Sequence, residues 1–295
     1  MSLSPDQFQD VSEVLSGSEG RVSLAIVDTS SRVVFDHAGS ERFELASVAK
    51  IYILAAYLDL LAQTGEGPNP EELEQMRRMI QISDNDSATA LFHAVGGADG
   101  INAFLTSHAL TPIDPAPDGS WGSVRASSVQ VAVFLARLYG GEVLDVSLTS
   151  LSFALLGNVI EEQSWGVGAL GDESAVDEVY LKNGWLPGDE GWIVNSVGLL
   201  KSTDRTYVVV FMSDRQPDFE AAVHGIEAVV ALIRAPLFGP SPTPASRPPV
   251  LTPVPTPDPA TATPETPSAT PPAVPRERMR TPVPATPPAL RTSVR

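Results

Sequence analysis

Proline is distributed so unevenly along this 295-residue sequence that it limits where a fold can form. Seventeen of the 27 prolines lie in the last 55 residues, a stretch without any aromatic residue. Proline lacks the amide donor that helices and inner strands need, so this stretch can build neither element. We predict a folded domain over residues 1–239 and a Pro/Thr-rich disordered tail over 240–295. We expect the tail to be an extended spacer that contacts the cell envelope, although its composition fits a tail without any task equally well.

Charge and residue usage exclude several classes of protein. The first 240 residues carry 33 acidic against 13 basic side chains. An acidic domain lacks the basic face that nucleic acid requires, so no nucleic-acid partner is expected. The chain has no cysteine, and its four histidines show no metal-ligand spacing. We therefore expect no disulfide, no metal and no cofactor.

The sequence gives little information on localisation. The N-terminus as written has neither the basic start nor the apolar stretch of a signal peptide, and no run of 18 apolar residues predicts a transmembrane segment. A different start site could still hide an export signal, so localisation stays open at this level.

The order of predicted elements indicates an α+β fold. Apolar and β-branched runs predict strands over 21–28, 33–37, 177–185, 192–201 and 206–213. Helical patterns predict helices over 47–61, 70–80, 87–93, 101–107, 127–139, 148–160 and 219–234. We predict an antiparallel sheet built from both chain ends, with an all-helical lobe inserted between its strands.

A serine and a lysine three residues apart open the most apolar helix. Residues at this spacing share one helical face, so the amine of Lys50 can reach the hydroxyl of Ser47. Burial at a helix N-terminus lowers the pKa of a lysine and lets it accept the serine proton. The pair alone is a weak signal, because the same spacing occurs by chance in many proteins.

Two further triplets support the pair. Ser83 and Asn85 belong to a Ser-Asp-Asn triplet before a predicted helix, and Lys182 and Gly184 belong to a Lys-Asn-Gly triplet on a predicted strand. Their ordinary interpretations are a helix N-cap and a solvated strand lysine. The chain has only three lysines, however, and two of them lie in these motifs.

The ordered set resembles the motifs of class A β-lactamases and penicillin-recognising DD-peptidases. The resemblance spans residues 20–234 and includes the phrases FELASVAK, EQSWGVG and KNGWLP. It implies a cleft between a sheet lobe and a helical lobe. Within that cleft, it implies that Ser47 is the nucleophile, Lys50 its base and Ser83 a proton relay.

The same resemblance implies a substrate-binding set around the catalytic residues. Asn85 would bind a substrate amide, and Lys182 would anchor a substrate carboxylate with Asn183 and Gly184 beside it. The backbone amides of Ser47 and Trp185 would form the oxyanion hole.

Three departures from the family pattern affect the expected activity. Asn183 replaces a hydroxyl residue, which changes one hydrogen bond to a substrate carboxylate. Only 36 positions separate Ser47 from Ser83, which predicts a shortened wall above the cleft. No glutamate occurs between Glu74 and Glu142, where the lactamases place the glutamate that activates the deacylating water. Of the five aspartates in that stretch, Asp114 and Asp118 lie in the part where the lactamase glutamate would be expected, and each is one methylene shorter.

These observations predict a serine hydrolase that forms an acyl-enzyme with a β-lactam, a D-alanyl peptide or a related amide or ester, and that deacylates slowly. The partner is a small-molecule or peptidoglycan-like substrate, and the protein is expected to be monomeric. The resemblance also implies an extracytoplasmic location. The alternative is a vestigial, non-catalytic binding domain tethered by the tail, since fold analogy does not separate the two.

Overall fold

The computed structural model describes residues 5–65, 67–172 and 175–239, and the predicted tail lies outside these residues. The strands are β1 (Arg21–Asp28), β2 (Val33–His37), β3 (Arg42–Glu44), β4 (Arg125–Ser127), β5 (Glu178–Gly188), β6 (Gly191–Lys201) and β7 (Thr206–Asp214). The α-helices are α1 (Gln9–Ser16), α2 (Ala49–Thr64), α3 (Pro70–Gln81), α4 (Asn85–Ala94), α5 (Gly97–Ser107), α6 (Ser128–Tyr139), α7 (Val146–Leu156) and α8 (Phe219–Phe238).

The large sheet joins the two ends of the domain. Its strand order is β2-β1-β7-β6-β5, and all neighbouring strands are antiparallel. The predicted α+β fold, with helices inserted into a sheet made from both chain ends, is confirmed. β5 is an edge strand, so one row of its backbone groups has no partner in the sheet.

Both faces of the sheet are covered. Successive residues of a strand point to opposite faces, and β1 is apolar on both. Ala25 packs into the core shared with the helical lobe, whereas Ile26 packs into a second core against α1 and α8. On β6, Val197 belongs to the first core and Val194 to the second. The sheet therefore separates a helical-lobe side from an α8 side.

The central helix α2 is buried almost all round. Every residue from 49 to 58 is buried, including Lys50 at its first turn. By length and hydropathy, 46–64 and 219–238 would both suffice to cross a membrane. The first is the core helix of the domain, and the buried face of α8 packs on the sheet. A buried core helix can be as long and as apolar as a membrane-spanning helix, so length and hydropathy do not distinguish the two.

Several local features differ from the sequence-based expectations. The ribbon of β3 and β4 and the short helix α1 were not predicted. The helix predicted over 148–160 ends at Leu156, where Gly157 takes the C-cap position. The helix predicted from Ser47 begins at Ala49, after one turn of 3₁₀ helix over Ala46–Val48. β5 continues to Gly188, three residues beyond the predicted strand end.

Candidate active site

Ser47 lies where the sheet meets the central helix. It is the middle residue of the 3₁₀ turn that leads into α2. Ala46, just before it, has a φ of 47°, a left-handed conformation that costs energy for a residue with a side chain. Ser47 is partly buried, and its hydroxyl makes no hydrogen bond to another residue in the described part of the chain. A strained turn thus holds an unpaired hydroxyl.

The Lys50 amine is directed toward the loop before α4. Its Nζ donates to the carbonyl oxygen of Ser83 at 2.6 Å, to Ser83 Oγ at 3.1 Å and to Asn85 Oδ1 at 2.8 Å. Burial lowers the pKa of Lys50 to about 7, an effect that the negative charge of Asp84 opposes. Close to neutral pH, part of the Lys50 population therefore carries a free amine.

The Ser-Asp-Asn triplet caps helix α4 and also contacts Lys50. Asp84 is the N-cap of α4, accepts a hydrogen bond from the Ser87 amide and pairs with Arg78 at 3.0 Å. Because Asp84 provides the cap, Ser83 and Asn85 on either side are left to contact Lys50. Ser83 has a φ of 57°, so a second strained residue lies at this site.

Lys182 contacts Ser83 from the side of the sheet. Its Nζ donates to Ser83 Oγ at 3.0 Å and to the Asn183 carbonyl oxygen at 2.9 Å. The side chain is fully buried, which excludes the solvated strand lysine of the ordinary interpretation. Burial lowers the pKa of Lys182 well below its usual value, and the nearby charge of Lys50 lowers it further. One hydroxyl thus connects two buried amines.

The Asn183 side chain is engaged within the protein, and the substrate-binding role expected for it stays a prediction. Its Nδ2 donates to the carbonyl oxygens of Gln163 and Trp165, each at 2.9 Å, and its Oδ1 accepts from Ser196 Oγ at 2.7 Å. The residue is fully buried, and both amide hydrogens are used. Since adjacent strand residues point to opposite faces, Asn183 lies on the α8 side while Lys182 lies on the helical-lobe side.

Gly184 brings the edge of β5 against the nucleophile turn. A Cβ at this position would lie 2.7 Å from the Ser47 amide nitrogen and 2.8 Å from the Val48 amide nitrogen. Only glycine fits this approach of two backbones. The next residue, Trp185, is partly buried and follows directly on the same edge.

Two side chains that the sequence reasoning missed support the site. Asn195 on β6 donates to the carbonyl oxygens of Glu44 at 2.8 Å and Leu45 at 3.2 Å, and so holds the segment that precedes Ser47. Trp121 lies with its ring centroid 4.7 Å from Lys50 Nζ. Neither residue belongs to a short motif, so no local pattern marks them.

The short segment 160–165 contacts both the chain before α4 and the edge strand. The amide nitrogen of Ile160 donates to the Gln81 carbonyl oxygen at 3.1 Å, and Gln163 Nε2 donates to the Ile82 carbonyl oxygen at 3.2 Å. The same segment accepts both hydrogen bonds from Asn183. It therefore ties the loop before α4 to the edge strand.

The carboxylates that were considered for deacylation have other partners. Asp114 is half-exposed and pairs with Arg42 at 3.3 Å. Asp118 is exposed and accepts from the Ser120 amide at 3.0 Å in a local turn. The Trp121 ring, which lies in the same stretch, is next to the Lys50 amine.

The fold is that of class A β-lactamases. The crystal structure of a representative class A β-lactamase from Bacteroides cellulosilyticus superposes with a TM-score of 0.68, covering 78% of this chain and 96% of that one at 16% identity. A β-lactamase from Sphaerobacter thermophilus gives a TM-score of 0.64 at 21% identity, with 78% and 97% covered. Identities this low establish the fold alone.

Sequence comparison places the chain in a family. The model of the β-lactamase enzyme family matches residues 6–73 and 71–235, so the chain belongs to that family. The protein LppW of Mycobacterium tuberculosis is 22% identical over 227 residues, which cover 72% of this chain and 69% of LppW. The predicted resemblance to the β-lactamase superfamily is confirmed.

Proposed function

We propose that this protein is a serine hydrolase that forms an acyl-enzyme at Ser47 with a β-lactam, a D-alanyl peptide or a related amide or ester. The observation that carries the proposal is the buried chain of contacts from Lys50 through Ser83 to Lys182, placed beside an unpaired serine hydroxyl. Buried titratable groups with lowered pKa values are typical of catalytic sites.

Lys50 is the proposed base. Its lowered pKa leaves a free amine at neutral pH, and its position one helical turn after Ser47 lets that amine take the serine proton when substrate tightens the site. A neutral amine has two hydrogens, so Nζ would keep two of the three observed hydrogen bonds, release the third and turn its lone pair toward Ser47. Lys182 then donates to Ser83 and fixes its orientation.

The acylation step uses these groups in turn. Ser47 Oγ attacks the carbonyl carbon while its proton passes to Lys50 Nζ, and the new carbon–oxygen bond gives a tetrahedral oxyanion. When the oxyanion collapses to the ester, the bond to the leaving nitrogen or oxygen breaks, and the Ser83 hydroxyl gives its proton to that atom and recovers one from Lys50. Asn85 keeps its Nδ2 free of partners among the described residues and would donate it to a substrate carbonyl.

The oxyanion requires two donors close to the nucleophile. The Ser47 amide is one, and the contact between Gly184 and the Ser47 turn supports the Trp185 amide on the unpaired strand edge as the other. Such donors act strongly because the site is partly closed to water.

Deacylation is proposed to be slow. Water attack on the ester needs a base on the other side of the acyl group, where Asp114 and Asp118 are engaged elsewhere and Trp121 covers Lys50. The acyl-enzyme should accumulate after a burst. The organisation into domain and tail, a monomeric state and an extracytoplasmic location remain part of this proposal.

Intact-mass spectrometry tests the acylation directly. The full chain is incubated with a panel of penicillins, cephalosporins and aryl esters, and the adduct is mapped by peptide digestion. We expect an adduct on the wild type, the same adduct on an exposed-serine control, Ser30→Ala, and none on Ser47→Ala. Equal labelling of Ser47→Ala would exclude Ser47 as the nucleophile. No adduct with any compound would favour the binding-only alternative.

A further inference from the structure

The Lys50 amine contacts an aromatic ring as well as polar groups. Its Nζ lies over the Trp121 ring, 4.7 Å from the ring centroid. The same Nζ makes three hydrogen bonds, to two oxygens of Ser83 and to Asn85. The face of an aromatic ring carries partial negative charge and attracts an ammonium group within about 6 Å of its centroid. The ring therefore favours the protonated form of this amine.

Contacts at both ends hold Trp121 in this position. Its Nε1 donates to Thr89 Oγ1 on α4 at 3.1 Å. The carbonyl oxygen of the next residue, Gly122, accepts from the Ala46 amide at 2.8 Å, and Ala46 directly precedes Ser47. Trp121 thus links the helical lobe to the turn that carries the serine. Because both anchor points belong to the site, the place of the ring relative to the amine is fixed.

Two charged groups also act on the Lys50 amine. Asp84, which pairs with Arg78 at 3.0 Å, raises the pKa of Lys50, whereas burial lowers it to about 7. Lys182 donates to the same Ser83 hydroxyl as Lys50, so its charge opposes a second cation. An aromatic face stabilises an ammonium less than a directly paired carboxylate would, so the amine can still lose its proton near neutral pH.

We propose that Trp121 is a positioning residue for acylation: its ring face stabilises the ammonium that forms on Lys50 when Ser47 gives up its proton. The ring thereby makes the amine a stronger base. The inference rests on the proposed function, because it concerns the base assigned to that reaction. The proton still passes from Ser47 Oγ to Lys50 Nζ, and the ring itself is chemically unchanged.

The titration of Lys50 tests the effect without any substrate. The chain contains only three lysines, so NMR of protein labelled with ¹³C at lysine Cε gives three titrating signals, of which Lys50→Met identifies one. The wild type is compared with chain that carries trifluorotryptophan, in which fluorine withdraws electron density from the ring face at nearly constant shape. We expect the pKa of Lys50 to fall by about 0.3 to 1 unit.

The matched control for this experiment is Trp121→Phe with and without trifluorotryptophan. The chain has three other tryptophans, and this pair shows whether their fluorination reaches Lys50. We expect the two forms of Trp121→Phe to titrate alike. An unchanged pKa of Lys50 in the fluorinated wild type, or an equal fall in the fluorinated control, would overturn the proposal.

Side-chain variants separate the effect of the ring face from the exclusion of water. Trp121→Leu removes the ring face and keeps an apolar side chain, whereas Trp192→Leu removes a ring that packs on Phe219. We expect the pKa of Lys50 to fall in the first variant, to fall less in Thr89→Val, which loses the acceptor of the indole, and to stay unchanged in Trp192→Leu. A higher pKa in Trp121→Leu would show that the ring acts by excluding water, and would overturn the proposal.

Acylation rates separate this inference from the proposed function. If the wild type forms an adduct, the midpoint of its pH–rate profile should follow the titration of Lys50 in each variant, and the plateau rate of Trp121→Leu should fall about two- to tenfold because its base is weaker. A shifted titration with an unshifted pH–rate profile would overturn the role of Trp121 in acylation. If no compound forms an adduct, the proposed function fails, while a lowered pKa of Lys50 in the fluorinated chain still supports the ring as the group that stabilises the ammonium.

Discussion

The two walls of the cleft differ in the chemistry that they offer to Ser47. On one side, Lys50, Ser83 and Lys182 form a connected and buried polar cluster. On the other side, the segment 108–124 contributes the Trp121 ring, while its carboxylates Asp114 and Asp118 are engaged at the surface. The proposed function assigns acylation to the first wall and finds no base for hydrolysis among the described carboxylates Asp114 and Asp118 on the second.

This difference shows that the two halves of a hydrolytic cycle have separate structural requirements. Acylation needs a base next to the serine, which a lysine on the same helix provides. Deacylation needs a base that reaches water from another direction. Under the proposed function, a chain could keep the first and lose the second, because the two bases would come from different parts of the fold.

Removal of the proposed base should have the largest effect on acylation. Lys50→Met keeps the length of the side chain but not the amine, and we expect acylation to fall about 10²- to 10⁴-fold. Lys201→Met is the matched control, because Lys201 pairs with Glu178 away from the cleft. Adduct formation is followed by intact mass. An unchanged rate in Lys50→Met would show that another group takes the serine proton.

The pH dependence of acylation should identify the same lysine. Burial lowers the pKa of Lys50 to about 7, so the free amine is present above that pH and is lost as the pH falls through it. We therefore expect the acylation rate to rise about tenfold per pH unit below pH 7 and to level off above it. A rate that keeps rising up to pH 10 would indicate a lysine with an ordinary pKa.

Substitution of Gly184 should have an intermediate effect. Gly184→Ala places a Cβ 2.7 Å from the Ser47 amide nitrogen, so one of the two backbones must move. Displacement of a reacting group by about 1 Å can cost up to ~10²-fold in rate, and we expect a loss of about 10- to 100-fold. Gly225→Ala on α8 is the control, because a Cβ there meets no atom within 4 Å. Equal acylation of both variants would contradict the proposed oxyanion site.

Loss of the Asn195 side chain should have a smaller effect on chemistry and a clear one on stability. Asn195→Ala leaves the buried carbonyls of Glu44 and Leu45 without this donor, and we expect about 1–3 kcal/mol of destabilisation in urea unfolding. The acylation rate should also fall while the protein remains folded, because Ser47 follows the released segment. A loss of stability with an unchanged rate would limit Asn195 to a structural role.

Deletion of the tail should have the smallest effect. From its composition, the stretch 241–295 is expected to bury too little apolar area to offset the entropy of ordering it. We expect the truncated chain to unfold within about 0.5 kcal/mol of the full chain and to acylate at the same rate. A larger difference by thermal or urea unfolding would place the domain boundary elsewhere.

Short spacing is what makes the candidate site visible in the sequence. The serine and lysine near the start of α2 and the triplets around Ser83 and Lys182 each lie within a few consecutive residues, so their patterns can be read from the chain. The sheet from both chain ends was also predictable, because its long strands have clear apolar patterns.

Long-range contacts account for what the sequence did not reveal. The ribbon of β3 and β4 pairs Arg42 with Ser127 through strands of only three residues, too short for a pattern. Asn195 and Trp121 act through contacts with distant segments. The orientation of Asn183 depends on which face of β5 meets the helical lobe, which the alternation of side chains alone does not decide.

The lifetime of the acyl-enzyme is the most direct test of this account. The wild type is acylated with a β-lactam or ester that labels Ser47, excess reagent is removed, and the adduct is followed by intact mass, with Asp114→Asn and Asp118→Asn in parallel. A general base typically accelerates such a step by about 10²- to 10⁴-fold. Without one, we predict that the adduct is still present in successive mass spectra and is equally long-lived in both variants. Rapid loss of the adduct from the wild type and both variants would show that another group activates water, and would contradict the claim that this cleft acylates without efficient hydrolysis.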